Sequence, residues 1–172
     1  DDILLGLRTY LPEDIGVYSC KNVSPRFHAR LNAKTKTYRY RLWNSAAPCV
    51  FDRKYVYVDQ SPVDVELMNN AAQCYVGTHD FSAFCANKKM KKSTLRYIQS
   101  LDIARRGQEI VFTVTGNGFL HHMVRIMVGT LLEVGRGYWD VEYVQTILDG
   151  KDRKMAGPTA PPEGLCLMKV DY

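Results

Sequence analysis

Arg125, Tyr38, His121 and His122 are the residues whose types and surroundings point most directly to chemistry. Arg125 lies within residues 116–137, GNGFLHHMVRIMVGTLLEVGRG, where Leu120, Met123, Val124, Met127, Val128, Leu131 and Leu132 recur at helical spacing and predict one buried helix. On that helix His122 stands three residues before Arg125, His121 four before and Gly129 four after, so a guanidinium, two imidazoles and a residue without a side chain share a sector. Gly129 lets another segment come close there. A guanidinium in apolar surroundings needs a carboxylate or phosphate to answer it. Spacing leaves two readings open: a structural ion pair with a local acid such as Glu133 or Glu163, or a site for an anionic group.

Tyr38 belongs to residues 34–43, KTKTYRYRLW, which alternate as a strand does. One face carries Lys34, Lys36, Tyr38, Tyr40 and Leu42, and it turns from charged to apolar at Tyr38. A phenol there suits the border of a wet cleft, or equally a cross-strand packing pair. Arg26, His28 and Arg30 surround Phe27 in one polar loop, and Lys88, Lys89, Lys91 and Lys92 precede Arg96. Both groups fit phosphate contacts, and both fit solvated loops. The net charge of +5 with a pI near 8.9 permits nucleic-acid binding without requiring it.

The elements that must position these groups fit one domain: 172 residues, 46% hydrophobic and 24% charged. No apolar run approaches the ~20 residues of a membrane span. Residues 1–11 predict an amphipathic helix stopped by Pro12, without signal-peptide character, which points to a soluble, cytoplasmic protein. A helix beginning at residue 1 also suggests a piece of a longer protein. Strands are expected over 15–21, 34–43 and 55–58, then a helix capped by Ser61 with Pro62 at its first position and Val65, Met68, Ala72 and Tyr75 on its apolar face. A hairpin of 95–103 and 109–115 turns around Arg105, Arg106 and Gly107, and Asp140 caps a last helix ending at Gly150. A Pro-rich loop then leads to a closing strand near 168.

Five cysteines without a C-x-x-C pair signal neither a disulfide framework nor zinc and read as reduced core fillers. P-loop, dinucleotide, G-x-S-x-G and H-E-x-x-H motifs do not occur. On a helix, His121 and His122 would point about 100° apart and could not readily share a metal. No metal or organic cofactor is therefore expected.

Six stretches in order, Phe27-His28-Ala29-Arg30, Tyr38-Arg39-Tyr40, Gly77 with Asp80-Phe81, Phe119-Leu120-His121-His122-Met123-Val124-Arg125 with Gly129, Gly135, and Pro162-Glu163-Gly164-Leu165, resemble the C-terminal half of TruA-type tRNA pseudouridine synthases. The resemblance implies an isomerase that converts uridine to pseudouridine in the anticodon stem-loop of tRNA. An aspartate attacks the nucleotide, the glycosidic bond breaks, and the base turns and is rejoined through carbon 5, with no cofactor. By the same resemblance Arg125 pairs with the catalytic aspartate, while Tyr38 packs on the target base and takes the carbon-5 proton. Leu165 walls the uridine pocket. His28 and Arg30 contact tRNA, with Lys88, Lys89, Lys91 and Lys92, and Arg96, His121 and His122 are grouped with them as substrate contacts. The family also implies a homodimer.

The chain departs from the family pattern in one decisive place: the G-R-T-D-x-G-V-H-like string that carries the aspartate does not occur. Residues 1–172 are therefore expected to be the C-terminal domain of a longer synthase, inactive alone. Ile126 stands where asparagine is frequent in the family. The expected fold class is α+β, a largely antiparallel sheet from segments near 15, 38, 56, 98, 112 and 168 with helices packed on one face. The alternatives are a non-catalytic RNA-binding module with an RRM-like sheet, and a small-molecule enzyme or scaffold whose Arg125 is a structural ion pair.

Overall fold

The computed structural model describes residues 2–87 and 92–172, which fall into two compact units, Asp1–Asn32 and Ala33–Tyr172. In the first unit, helix α1 (Asp2–Tyr10) ends before Pro12 as its sequence requires, but it buries none of its residues. Residues 15–21 form no strand. Their alternation lacks a partner: Ile15 and Tyr18 are exposed, and the carbonyls of Val17 and Tyr18 accept the Arg8 guanidinium instead of a neighbouring strand.

The second unit is built on a six-stranded mixed sheet: β1 (Thr35–Trp43), β2 (Tyr57–Val58), β3 (Gly77–Asp80), β4 (Leu95–Arg106), β5 (Glu109–Gly116) and β6 (Leu165–Asp171). The order is β2-β1-β5-β4-β3, with β6 also paired to β1. Every pairing is antiparallel except β1 with β2. Four residues containing a glycine carry little strand signal, and β3 was not expected from the sequence; it is held through its pairing with β4.

Alternation decides which face is buried. Tyr40 and Leu42 of β1, Ile110, Phe112 and Val114 of β5, and Leu101 and Ile103 of β4 form one core with helices α2 (Val65–Ala72), α3 (Met123–Gly135) and α4 (Tyr143–Gly150). The opposite face presents Arg39, Arg41 and Thr113, and there Arg41 pairs with Glu109 and Asp52. The fold is α+β, as its class of elements implies. Among the described residues, no helix is long and apolar enough to cross a membrane.

Helix starts differ from expectation for physical reasons. The N-cap of α2 is Asp64, whose carboxylate accepts the N–H groups of Glu66 and Leu67, an arrangement the shorter Ser61 side chain does not make. Helix α4 begins at Tyr143 rather than at Asp140, whose carbonyl instead closes a turn with the Tyr143 N–H. Helix α3 begins only at Met123, because His122 adopts the left-handed conformation (φ 60°) and cannot continue an α-helix. Among the described residues no cysteine forms a disulfide; only Cys85 is buried, while Cys20 and Cys166 are exposed.

Candidate active site

All residues of α3 are buried except Arg125 and Glu133. Glu133 is answered: its carboxylate lies 2.6 Å from Arg136 Nη1, and Arg136 also pairs with Asp59. Arg125 forms no ion pair among the described residues, and Glu163 does not supply one. Its Nε donates to the Ala160 carbonyl at 2.6 Å, while the Arg125 carbonyl accepts the Ala160 N–H at 3.1 Å. Both halves of the arginine are thus tied to one residue, and Nη1 and Nη2 are the donors left for an anion.

Arg125 opens onto a cavity of about 240 Å³ that it shares with Tyr38, Phe119, His122, Pro162 and Leu165. Three separate stretches are needed to build it. Strand β1 delivers Tyr38, and the turn leading into α3 delivers Phe119, which packs edge-on against the Tyr38 ring at 5.1 Å between centroids. The 3₁₀ turn Pro162–Gly164 delivers Pro162 and leads into Leu165, which pairs with Tyr40 of β1. The wider depression of about 710 Å³ beside α2 includes Asp64, Arg105 and Arg136, but there Arg136 is ion-paired and Arg105 donates to Asn44.

His121 and His122 do not share a helical sector with Arg125. They sit in the turn before α3 with their rings stacked, centroids 3.8 Å apart. His122 lines the cavity and His121 is exposed. Burial, then the neighbouring His121 and Arg125, hold the His122 pKa below its ordinary value, which favours the neutral ring. A left-handed backbone in a non-glycine residue at a cavity wall is strain of the kind found at functional sites.

Lys92 and Arg96 are not among the residues that line this cavity. In the first unit, the His28 Nδ1 accepts the N–H groups of Arg30 and Leu31 at 3.2 and 3.3 Å, which leaves Nε2 as the outward donor, and both side chains are exposed. Arg96 donates to the carbonyls of Ser93 and Leu95, and Lys92 is exposed. Lys88, Lys89 and Lys91 lie outside the described residues. Sequence reading missed Ala160 and Phe119 as parts of the site; Phe119 was visible as an aromatic within the resembling stretch, whereas a backbone carbonyl leaves no trace in a sequence.

An arginine whose terminal nitrogens meet no acceptor among the described residues, beside aromatic and aliphatic walls, defines a pocket for an anionic group together with a flat ring. The family model described as tRNA pseudouridine synthase matches residues 71–172. Proteins called tRNA pseudouridine synthase A match nearly the whole chain: one from Halalkalibacterium halodurans is 48% identical over 94% of this chain and 61% of the relative. One from Clostridium kluyveri is 43% identical over 99% of this chain and 70% of the relative. Another, from Anoxybacillus flavithermus, is 45% identical over 96% of this chain and 67% of the relative. The chain belongs to the tRNA pseudouridine synthase family, and it spans about 61% of the first of these relatives.

Proposed function

We propose that this chain supplies the arginine and tyrosine side of a tRNA pseudouridine synthase active site, in an enzyme that isomerises uridine to pseudouridine in the anticodon stem-loop of tRNA. The observation that carries the reading is the Arg125 guanidinium, which meets no acid among the described residues and shares one cavity with Tyr38 and Leu165. The nucleophilic carboxylate is then supplied from outside residues 1–172, in the part of the protein that the longer relatives possess beyond this match.

In this reading the Nη1 and Nη2 edge of Arg125 holds that carboxylate ionised and aimed at the nucleotide. The target uridine leaves its stack to reach the cavity, and the Tyr38 ring with Phe119 behind it replaces the lost stacking. The Tyr38 hydroxyl takes the carbon-5 proton once the base has been rejoined, giving up its own to solvent as it does so, while the N1 freed by glycosidic cleavage gains a proton from solvent, and Leu165 closes the wall. His28 and Arg30, the lysines of 88–92, Arg96 and the histidine pair contact the tRNA. The enzyme acts in the cytoplasm as a homodimer.

The test is release of tritium from tRNA labelled at carbon 5 of uridine, using the whole protein that carries this chain. Arg125→Lys keeps the charge but loses both the Nε bond to the Ala160 carbonyl and the paired donors, and turnover falls by about a hundredfold or more. Turnover close to the parent's in this variant would remove the clamp from the mechanism. Tyr38→Phe keeps the stacking ring and loses the proton acceptor, so tRNA affinity stays and turnover drops.

A further inference from the structure

Residues 156–161, which join the turn after α4 to the cavity wall, are fixed from four directions. Arg153 Nη1 donates to the carbonyls of Ala156 and Gly157 at 3.2 and 3.0 Å, and its Nη2 donates to Thr159 Oγ1 at 3.1 Å. Thr130 of α3 accepts the Gly157 N–H at 3.0 Å while donating to the Ile126 carbonyl at 2.9 Å. The Tyr40 hydroxyl donates to the Pro161 carbonyl at 2.8 Å, and burial raises its pKa so that it stays a donor. The fourth direction is Arg125 itself, through its two bonds to Ala160.

Arg153 is costly where it sits. Its donors go to neutral oxygens, burial lowers its pKa, and no acid among the described residues offsets that. A cation held in this way without a carboxylate is a poor stability device, and what it holds is the segment that ends on the Arg125 ligand.

We propose that Arg153 is a positioning residue for the isomerisation: by fixing 156–159 it fixes the Ala160 carbonyl, and through that carbonyl the direction in which Arg125 presents Nη1 and Nη2. The inference rests on the reading of Arg125 as the carboxylate clamp. It also specifies the approach. With Nε occupied by Ala160, the carboxylate docks end-on across the two terminal nitrogens, and not side-on across Nε and Nη. The competing role is a phosphate contact, since Arg153 also lines a surface depression of about 610 Å³ with Lys151 and Lys154.

A double-mutant cycle on the whole protein decides between them, with single-turnover rates at saturating tRNA, tRNA affinity by filter binding and melting temperature read in parallel. Arg153→Met lowers the single-turnover rate by about tenfold and leaves tRNA affinity within about twofold, because a misaimed clamp harms chemistry and not binding. Arg153→Lys restores part of the rate. In an Arg125→Lys background, where Nε is gone, Arg153→Met has less than about a twofold further effect. Equal losses in both backgrounds, an unchanged rate, or a loss confined to affinity would each overturn the proposal. Should Arg153→Met fail to fold, Thr159→Val, which removes one of the three acceptors, carries the same signature at smaller amplitude. An Arg125→Lys protein as fast as the parent defeats the underlying clamp; a slow Arg125→Lys with a fast Arg153→Met defeats only the positioning role.

Discussion

Gly129→Ala tests the tightest contact behind the cavity. A Cβ at Gly129 would lie 1.8 Å from the Pro158 carbonyl oxygen and 2.9 Å from its carbon, so the obstacle is backbone and cannot rotate away. The Pro158 oxygen must retreat by about 1.2 Å before the contact reaches even 3.0 Å. That retreat pulls on Gly157 and Ala160, whose N–H groups donate to Thr130 and to the Arg125 carbonyl. Overpacking costs about 1–3 kcal/mol, the two strained bonds about 1 kcal/mol each, and the helix gains roughly 1 kcal/mol on losing a glycine. The net is roughly 2–4 kcal/mol of destabilisation, or about 5–15 °C in Tm for a chain of this size. Thermal unfolding followed by circular dichroism measures it, with Gly6→Ala as control. Gly6 meets nothing within 4 Å, so its replacement leaves the melting temperature unchanged or raised. Turnover should fall by about tenfold as well, since Ala160 moves with Pro158. A Gly129→Ala protein that melts within about a degree of the parent would refute the close approach. One that melts low but turns over normally would separate the loop from Arg125.

Other outcomes follow from single interactions. Burial works against the Asp59 carboxylate, but hydrogen bonds from Ser61 and Arg136 outweigh it and hold the pKa below the usual 3.8. That contribution is full above the unfolded value and is lost as pH falls through the lower folded one. Asp59→Asn therefore lowers stability at neutral pH by about 1–3 kcal/mol and flattens the acid side of the stability curve, read by urea unfolding between neutral pH and about pH 2. Tyr40→Phe leaves the Pro161 carbonyl without its donor and costs about 1–3 kcal/mol in the same assay. Asp64→Ala uncaps α2 and costs about 1 kcal/mol, with no change in turnover. Arg30→Ala weakens tRNA binding and makes the dependence of affinity on salt shallower by roughly one counterion.

Side-chain pattern made much of this legible. The alternation of residues 34–43 identified the strand and the buried face of Tyr40 and Leu42 because a half-covered sheet leaves that signature. The apolar density of 123–135 marked the central helix in the same way. The limits of the elements were less readable. Ser61 and Asp64 both look like caps, and only the path of the chain decides which carboxylate or hydroxyl reaches the free N–H groups. The left-handed turn at His122 has no compositional sign, since it is imposed on a residue that does not favour it. The most consequential omission, the Ala160 carbonyl, belongs to a residue whose side chain is a methyl group. Backbone acceptors are the same at every position, so the residue that orients Arg125 is invisible until the chain is folded.

The pairing of β1 with β6 has a kinetic consequence. These strands lie far apart in sequence: Thr35 and Asp171, 136 residues apart, share a hydrogen bond. Strands β4 and β5, by contrast, meet across the tight turn at Gly107. Loop closure over the longer distance is slower, so the hairpin and the helices docked on it can condense while β6 is still loose. A chain arrested at that stage has most of its apolar core but an unclosed cavity, because Pro162 and Leu165 arrive only with β6. Fluorescence of Trp139 and Tyr143, which pack together by α4, would then report early collapse, whereas recovery of turnover on refolding would lag behind it.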